Sequence, residues 1–170
     1  MLRKTMGFVA LCMLAGCTTT APIAGSQTIG YRNIDSRDGA QVYVCQTGSC
    51  GDLSVGVHKT ETLTATQAAE FTTGINSTTA QRLAKIAIEQ EGAARGQNVR
   101  VSRVRDAKIG AFDGAQIDLI LRARDGDRVN AGMVILQNDR KAEVFVVIAD
   151  SSQRARSQAR RLATVWSNSQ

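Results

Sequence analysis

Aromatic residues are scarce in this chain, with one Trp, two Tyr and four Phe among 170 residues. So few rings provide no array on which single-stranded nucleic acid could stack, and they weigh against sugar-stacking sites. Histidine occurs once, as His58. Any Ser-His-Asp or Cys-His arrangement would have to use it. No G-x-S-x-G, H-E-x-x-H, P-loop or S-x-x-K motif is present. Long apolar runs are also missing. A membrane-crossing helix needs about 20 apolar residues, and the N-terminal run is broken by Gly16 and by Thr18, Thr19 and Thr20. These absences leave little for an enzyme to work with.

What the N-terminus does contain is ordered. Arg3 and Lys4 give a positive start, residues 6–14 an apolar stretch, and Leu14-Ala15-Gly16-Cys17 closes it. A buried helix would not explain the basic start or the polar drop after Cys17. An ordinary secretory signal would end in a small-x-small site, which this run matches poorly. The run resembles the lipobox of bacterial lipoproteins. The resemblance implies a signal peptide over residues 1–16 and lipidation of Cys17 by a diacylglyceryl group, with palmitate-type chains. At ~0.8 kcal/mol per buried methylene, two or three chains would hold the protein on a membrane. It also implies that Thr18, which is not Asp, permits outer-membrane sorting facing the periplasm in a Gram-negative cell. Plain secretion is the alternative.

Of the four cysteines, Cys12 lies in the signal and Cys17 would be blocked by lipid. Cys45 and Cys50 remain, an isolated pair in an exported protein, which favours a disulfide. The intervening Gln46-Thr47-Gly48-Ser49 has turn composition. A metal site would need His58 to join the pair, and a redox centre would ordinarily be C-x-x-C. No cofactor is expected.

The formal charge is +6, with 21 basic and 15 acidic residues, and losing Arg3 and Lys4 would lower it by two. Positive charge on a tethered domain fits attraction to anionic headgroups, or simple solubility. Nucleic acid is an unexpected partner for an exported domain. Residues 17–27 hold the only proline and no charge, and read as a flexible tether with a reach of roughly 15–20 Å. Residues 28–170 then suit one domain.

Within it, residues 42–45 and 53–58 alternate as strands, with Leu53, Val55 and Val57 on one face and His58 on the polar face, in solvent. Residues 66–71 read as a short helix. Thr78 and Gln81 resemble a capping box, ahead of Ala80, Leu83, Ala84, Ala87 and Ile88 at helical spacing. Residues 98–105 read as an exposed strand. In 115–124, Ala115, Ile117, Leu119, Leu121 and Ala123 share one face, and Asp125-Gly126 supplies a turn. Residues 129–137 and 143–149 follow as strands apolar on both faces, which implies layers above and below the sheet. Asp150 with Gln153 is the expected cap of a last helix. That helix buries Ala155, Ala159, Leu162 and Trp166 and exposes Arg154, Arg156, Arg160 and Arg161, a candidate basic surface.

This order predicts an α+β fold, an antiparallel β-sheet with helices packed on it. With Gly114-Ala115 opening the long strand, the apolar strand at 144–149 and the closing helix with Trp166, the chain resembles the Mog1/PsbP-like fold. The resemblance implies a binding or assembly factor more than an enzyme. Asp113, Asp118, Asp125, Asp127 and Glu143 are the carboxylates an enzyme would draw on. Turn chemistry and cross-strand pairing with Arg122 or Arg124 account for them as well. The reading is therefore a non-enzymatic, lipid-anchored accessory protein of the cell envelope, held to a membrane through Cys17 and serving an envelope protein partner. The alternatives are a pilotin-like escort for a secretion or pilus component and an enzyme with an unrecognised site.

Overall fold

The computed structural model describes residues 21–37, 39–45, 48, 50–51, 53–74, 78–80, 82–83, 98–122 and 126–170. A 3-10 turn, Ser26–Ile29, precedes β1 (Arg32–Arg37), β2 (Ala40–Cys45), β3 (Ser54–Thr62) and α1 (Ala65–Thr73). Residues 78–80 and 82–83 are helical. Then come β4 (Asn98–Ile109), β5 (Phe112–Arg122), β6 (Arg128–Asn138) and β7 (Lys141–Ala149), and α2 (Ser152–Ser167) closes the fold.

All seven strands form one antiparallel sheet in the order β1-β2-β3-β7-β6-β5-β4. Two meanders therefore meet at a seam where β3 pairs with β7, Val57 opposite Val146 and His58 opposite Phe145. The central strands carry apolar residues at consecutive positions, and every residue over 131–136 and 142–147 is buried. That pattern requires cover on both faces. On one face, Val57, Ile117, Leu119, Leu121, Met133, Ile135, Val144 and Val146 pack with Ala68, Ala80 and Leu83. On the other, Tyr31, Tyr43, Val134, Phe145 and Val147 pack against Ala159, Leu162, Ala163 and Trp166 of α2. A Cβ at Gly132 would lie 2.5 Å from the Arg156 nitrogen. The bare backbone there is what lets α2 approach β6 so closely.

Several expectations need correction. The tether was to run through residue 27, yet Ile23 and Ser26 are buried. The Ile23 N–H donates to the Tyr43 hydroxyl at 2.8 Å, because Ile23 is a large apolar side chain with a core to join. α2 is capped by Ser151, whose hydroxyl accepts from the Arg154 N–H at 3.3 Å. Asp150 instead pairs with the Arg154 guanidinium. α1 opens with a reciprocal capping box, Thr64 with Gln67, in the sequence form expected at Thr78 and Gln81. Gln81, Ala84, Ala87, Ile88, Ala123 and Asp125 lie outside the described residues. β1 was not anticipated. Its one large apolar residue, Ile34, is 54% exposed, so the strand carries no alternation to read.

Candidate functional site

At the end of the sheet where β6 turns into β7, residues 21–24, the start of β2 and the end of α2 enclose a cleft of about 620 Å³. Its floor is built at the seam. His58 and Thr60 on β3 face Phe145 and Glu143 on β7, so all four share the α2 side of the sheet. His58 Nε2 lies 2.9 Å from Glu143 Oε2, and the Thr60 hydroxyl donates to the same oxygen at 2.7 Å. The imidazole stacks on Phe145 at 4.6 Å and tilts toward Trp166 at 6.2 Å. His58 is 2% exposed and Glu143 4%. The His58 Nδ1 is buried and has no hydrogen-bond partner among the described residues.

This overturns the placement of His58 on a solvated face. Alternation identified the polar side of β3 correctly, but α2 covers that side. Glu143 likewise engages His58 and Thr60, not Arg122, and Arg124 lies outside the described residues. Asp118 pairs with Arg105 and Arg156. Asp113 pairs with Lys108 at the surface. Asp127 is exposed and Asp125 lies outside the described residues.

A second polar line runs beside the first. Gln41 sits opposite His58 on β2. The Tyr43 hydroxyl donates to Gln41 Oε1 while accepting from Ile23. Burial raises the Tyr43 pKa and pushes Tyr31 up to about 12, so both phenols stay neutral donors across the physiological range. Gln41 and both tyrosines were missed from the sequence. The available signal was that the chain's only two tyrosines lie within fifteen residues of each other, Tyr43 between Val42 and Val44.

The arrangement is a hydrogen-bonded group centred on one oxygen of Glu143. Thr60 gives its proton to Glu143, and no nucleophilic side chain bonds His58 among the described residues. No three His, Cys, Asp or Glu residues cluster as a metal site among them either. Lys141 and Asn138 at the rim add a cation and an amide.

The other expected residues lie elsewhere. Cys45 and Cys50 are buried and bridged, Cα atoms 6.0 Å apart, as expected. The bridge fastens the loop after β2 at the far end of α2. The four helix arginines do not form one surface. Arg154 pairs with Asp150 and Arg156 with Asp118, and both are half-buried, while Arg160 and Arg161 are exposed. Cys17 lies outside the described residues, and none of the described helices is long and apolar enough to cross a membrane.

The architecture has a counterpart among solved structures. The solution structure of cyanobacterial PsbP (CyanoP) from Synechocystis sp. PCC 6803 superposes with a TM-score of 0.52. The match covers 80% of this chain and 78% of that one, at 11% identity. The fold is PsbP-like. At that identity the likeness concerns the fold alone. No family model matches the sequence, and no curated protein matches it.

Proposed function

We propose that this chain is a lipid-anchored accessory protein of the cell envelope that binds a partner through the cleft beside its anchor, without transforming it. The carrying observation is the cleft itself. A buried His58–Glu143–Thr60 group with an unsatisfied ring nitrogen lies at its floor, and residues 21–24 form part of its wall. Buried ionisable pairs are weak contributors to stability, and a few convergent polar groups inside a cleft are a mark of binding sites. Lipid on Cys17 would sit four residues from that wall, about 14 Å at full extension. The cleft would then open close to the membrane that holds the protein. A PsbP-like fold fits a binding or assembly role. The Gram-negative outer membrane is the expected location on the lipobox resemblance.

Two measurements test this. Cys17→Ser should abolish metabolic palmitate labelling and leave the precursor uncleaved; normal processing of the variant would remove the anchor from the proposal. Thr62 is exposed at the cleft rim, so Thr62→Trp should block the opening without touching the core. Affinity capture from solubilised envelopes should lose its partner with this variant at unchanged stability. An identical partner set for both proteins would move the binding surface elsewhere.

A further inference from the structure

We propose that Arg100, Arg122 and Arg128, gathered around Ile120 at the end of the sheet opposite the cleft, bind a phosphate group. They line a hollow of about 270 Å³ with Ile120. The cross-strand register puts all four on the α2 side of the sheet: Arg100 faces Ile120, Ile120 faces Asn130, and Arg122 faces Arg128.

A local irregularity adds to this face. The β4–β5 register shifts between Val101 and Arg103, leaving Ser102 as an extra residue whose hydroxyl bonds the Asp118 carbonyl at 3.1 Å. In an unbroken strand, Arg100 and Arg103 would point to opposite faces. The bulge re-aims the chain, so Arg103 and Arg105 join Arg100 on one side, while Val99, Val101 and Val104 turn to the apolar cluster.

Of the described acidic residues on this side of the sheet, two are already paired. Asp118 is taken by Arg105 at 3.1 Å and Arg156 at 3.3 Å, and Asp150 by Arg154. Exposed Asp127 follows Gly126 in the turn before Arg128. Among the described residues, no carboxylate is within ion-pair distance of Arg100, Arg122 or Arg128.

Protection of a sheet edge does not account for this trio. Charges on an edge strand deter strand addition, which covers β4, but Arg122 and Arg128 lie on inner strands. Like charges directly opposite each other in a ladder are destabilising, so the Arg122–Arg128 pair calls for a counter-ion. Guanidinium forks suit phosphate oxygens. Three forks converging on one hollow match a tetrahedral dianion, whose oxygens diverge, better than a planar carboxylate.

The phosphate could be carried by a lipid headgroup or by a soluble ester. β6 runs from Arg128 to Asn138, about 33 Å at strand rise, so the hollow lies far from the cleft and from residues 21–24. This separation favours a soluble ester over headgroups of the membrane beneath the anchor.

The test uses the full-length Cys17→Ser chain, which carries no lipid. Inorganic pyrophosphate is titrated by calorimetry, and flotation is measured with phosphatidylglycerol and with phosphatidylcholine vesicles. Saturable, salt-sensitive pyrophosphate binding is expected, weakened at least about tenfold by Arg122→Gln or Arg128→Gln. Arg160→Gln, on the exposed side of α2, should leave it unchanged. Thermal midpoints of the variants should match or exceed the parent's, since a repulsive pair is removed. Pyrophosphate binding without flotation supports a soluble ester; added flotation on phosphatidylglycerol, lost in the same variants, supports a headgroup. No pyrophosphate binding, or equal weakening by Arg160→Gln, would overturn the assignment.

Discussion

The two faces of the sheet are made by alternate residues of the same strands, yet they differ in kind. The face beneath α1 is mostly aliphatic, with Val57, Ile117, Leu119, Leu121, Met133, Ile135, Val144 and Val146 packed together; its buried polar members are Lys59, paired with Glu61, and Thr79, bonded to Glu70. The face beneath α2 holds Tyr31, Tyr43, Phe145 and Trp166, together with buried His58, Gln41 and Glu143. Along β7, Val144 and Val146 serve the first face while Glu143 and Phe145 serve the second. One set of side chains supplies non-directional burial. The other places hydrogen-bonding groups at fixed positions, at the cost of desolvating them. The first face serves mainly packing; the α2 face carries the cleft.

Substitutions on each face should break differently. Trp166→Ala should have the largest effect, about 3–5 kcal/mol in chemical denaturation, since the indole packs on Phe112 and Phe145. It should also abolish partner capture, because Trp166 lines the cleft. Leu119→Ala should cost about 2–5 kcal/mol while capture by the folded fraction is retained. Loss of capture there would erase the division between the faces.

Glu143→Gln should cost roughly 1–3 kcal/mol by disturbing a buried hydrogen-bonded group, with capture falling further than stability. A variant as stable as the parent with capture intact would reduce Glu143 to packing.

The smallest effect at neutral pH belongs to Tyr31→Phe. The folded pKa of about 12 lies above the ordinary value of 10.0. Between these values the unfolded chain releases a proton that the folded chain keeps, so stability falls as pH rises. The contribution is fully present below pH 10 and lost through pH 12, on the order of a few kcal/mol. Tyr31→Phe should flatten this alkaline slope in denaturant titrations at stepped pH; an unchanged slope would mean another group carries it.

The sequence made one of these faces far easier to read than the other. Alternation over 115–121 shows the aliphatic face directly, because every second residue there is large and apolar. The apolar runs in β6 and β7 likewise announce two covered sides, and α2 declares its buried stripe. The same principle misplaced His58, since a polar residue in an alternating strand reads as solvent-facing until the strand is known to lie near the middle of a two-sided sheet. The His58–Glu143 contact joins residues 85 positions apart, beyond the reach of any local pattern. The arginine hollow was hidden for another reason. A one-residue bulge reverses the parity of β4, and nothing in Val101-Ser102-Arg103 distinguishes it from an even strand. The basic residues of α2 are more conspicuous in the sequence, although Arg154 and Arg156 are paired.

The seam between the meanders also sets an order of events. Each meander is built from hairpins and needs only local closure, whereas joining β3 to β7 closes a loop of most of the domain, a slow and entropically costly step. His58 and Glu143 stand on opposite sides of that join. The His58–Glu143 pair therefore does not exist in a half-assembled chain, and neither does the cleft floor. A partner that read His58 and Glu143 together, as proposed above, would engage only molecules whose sheet has closed, and its binding would double as an inspection of folding.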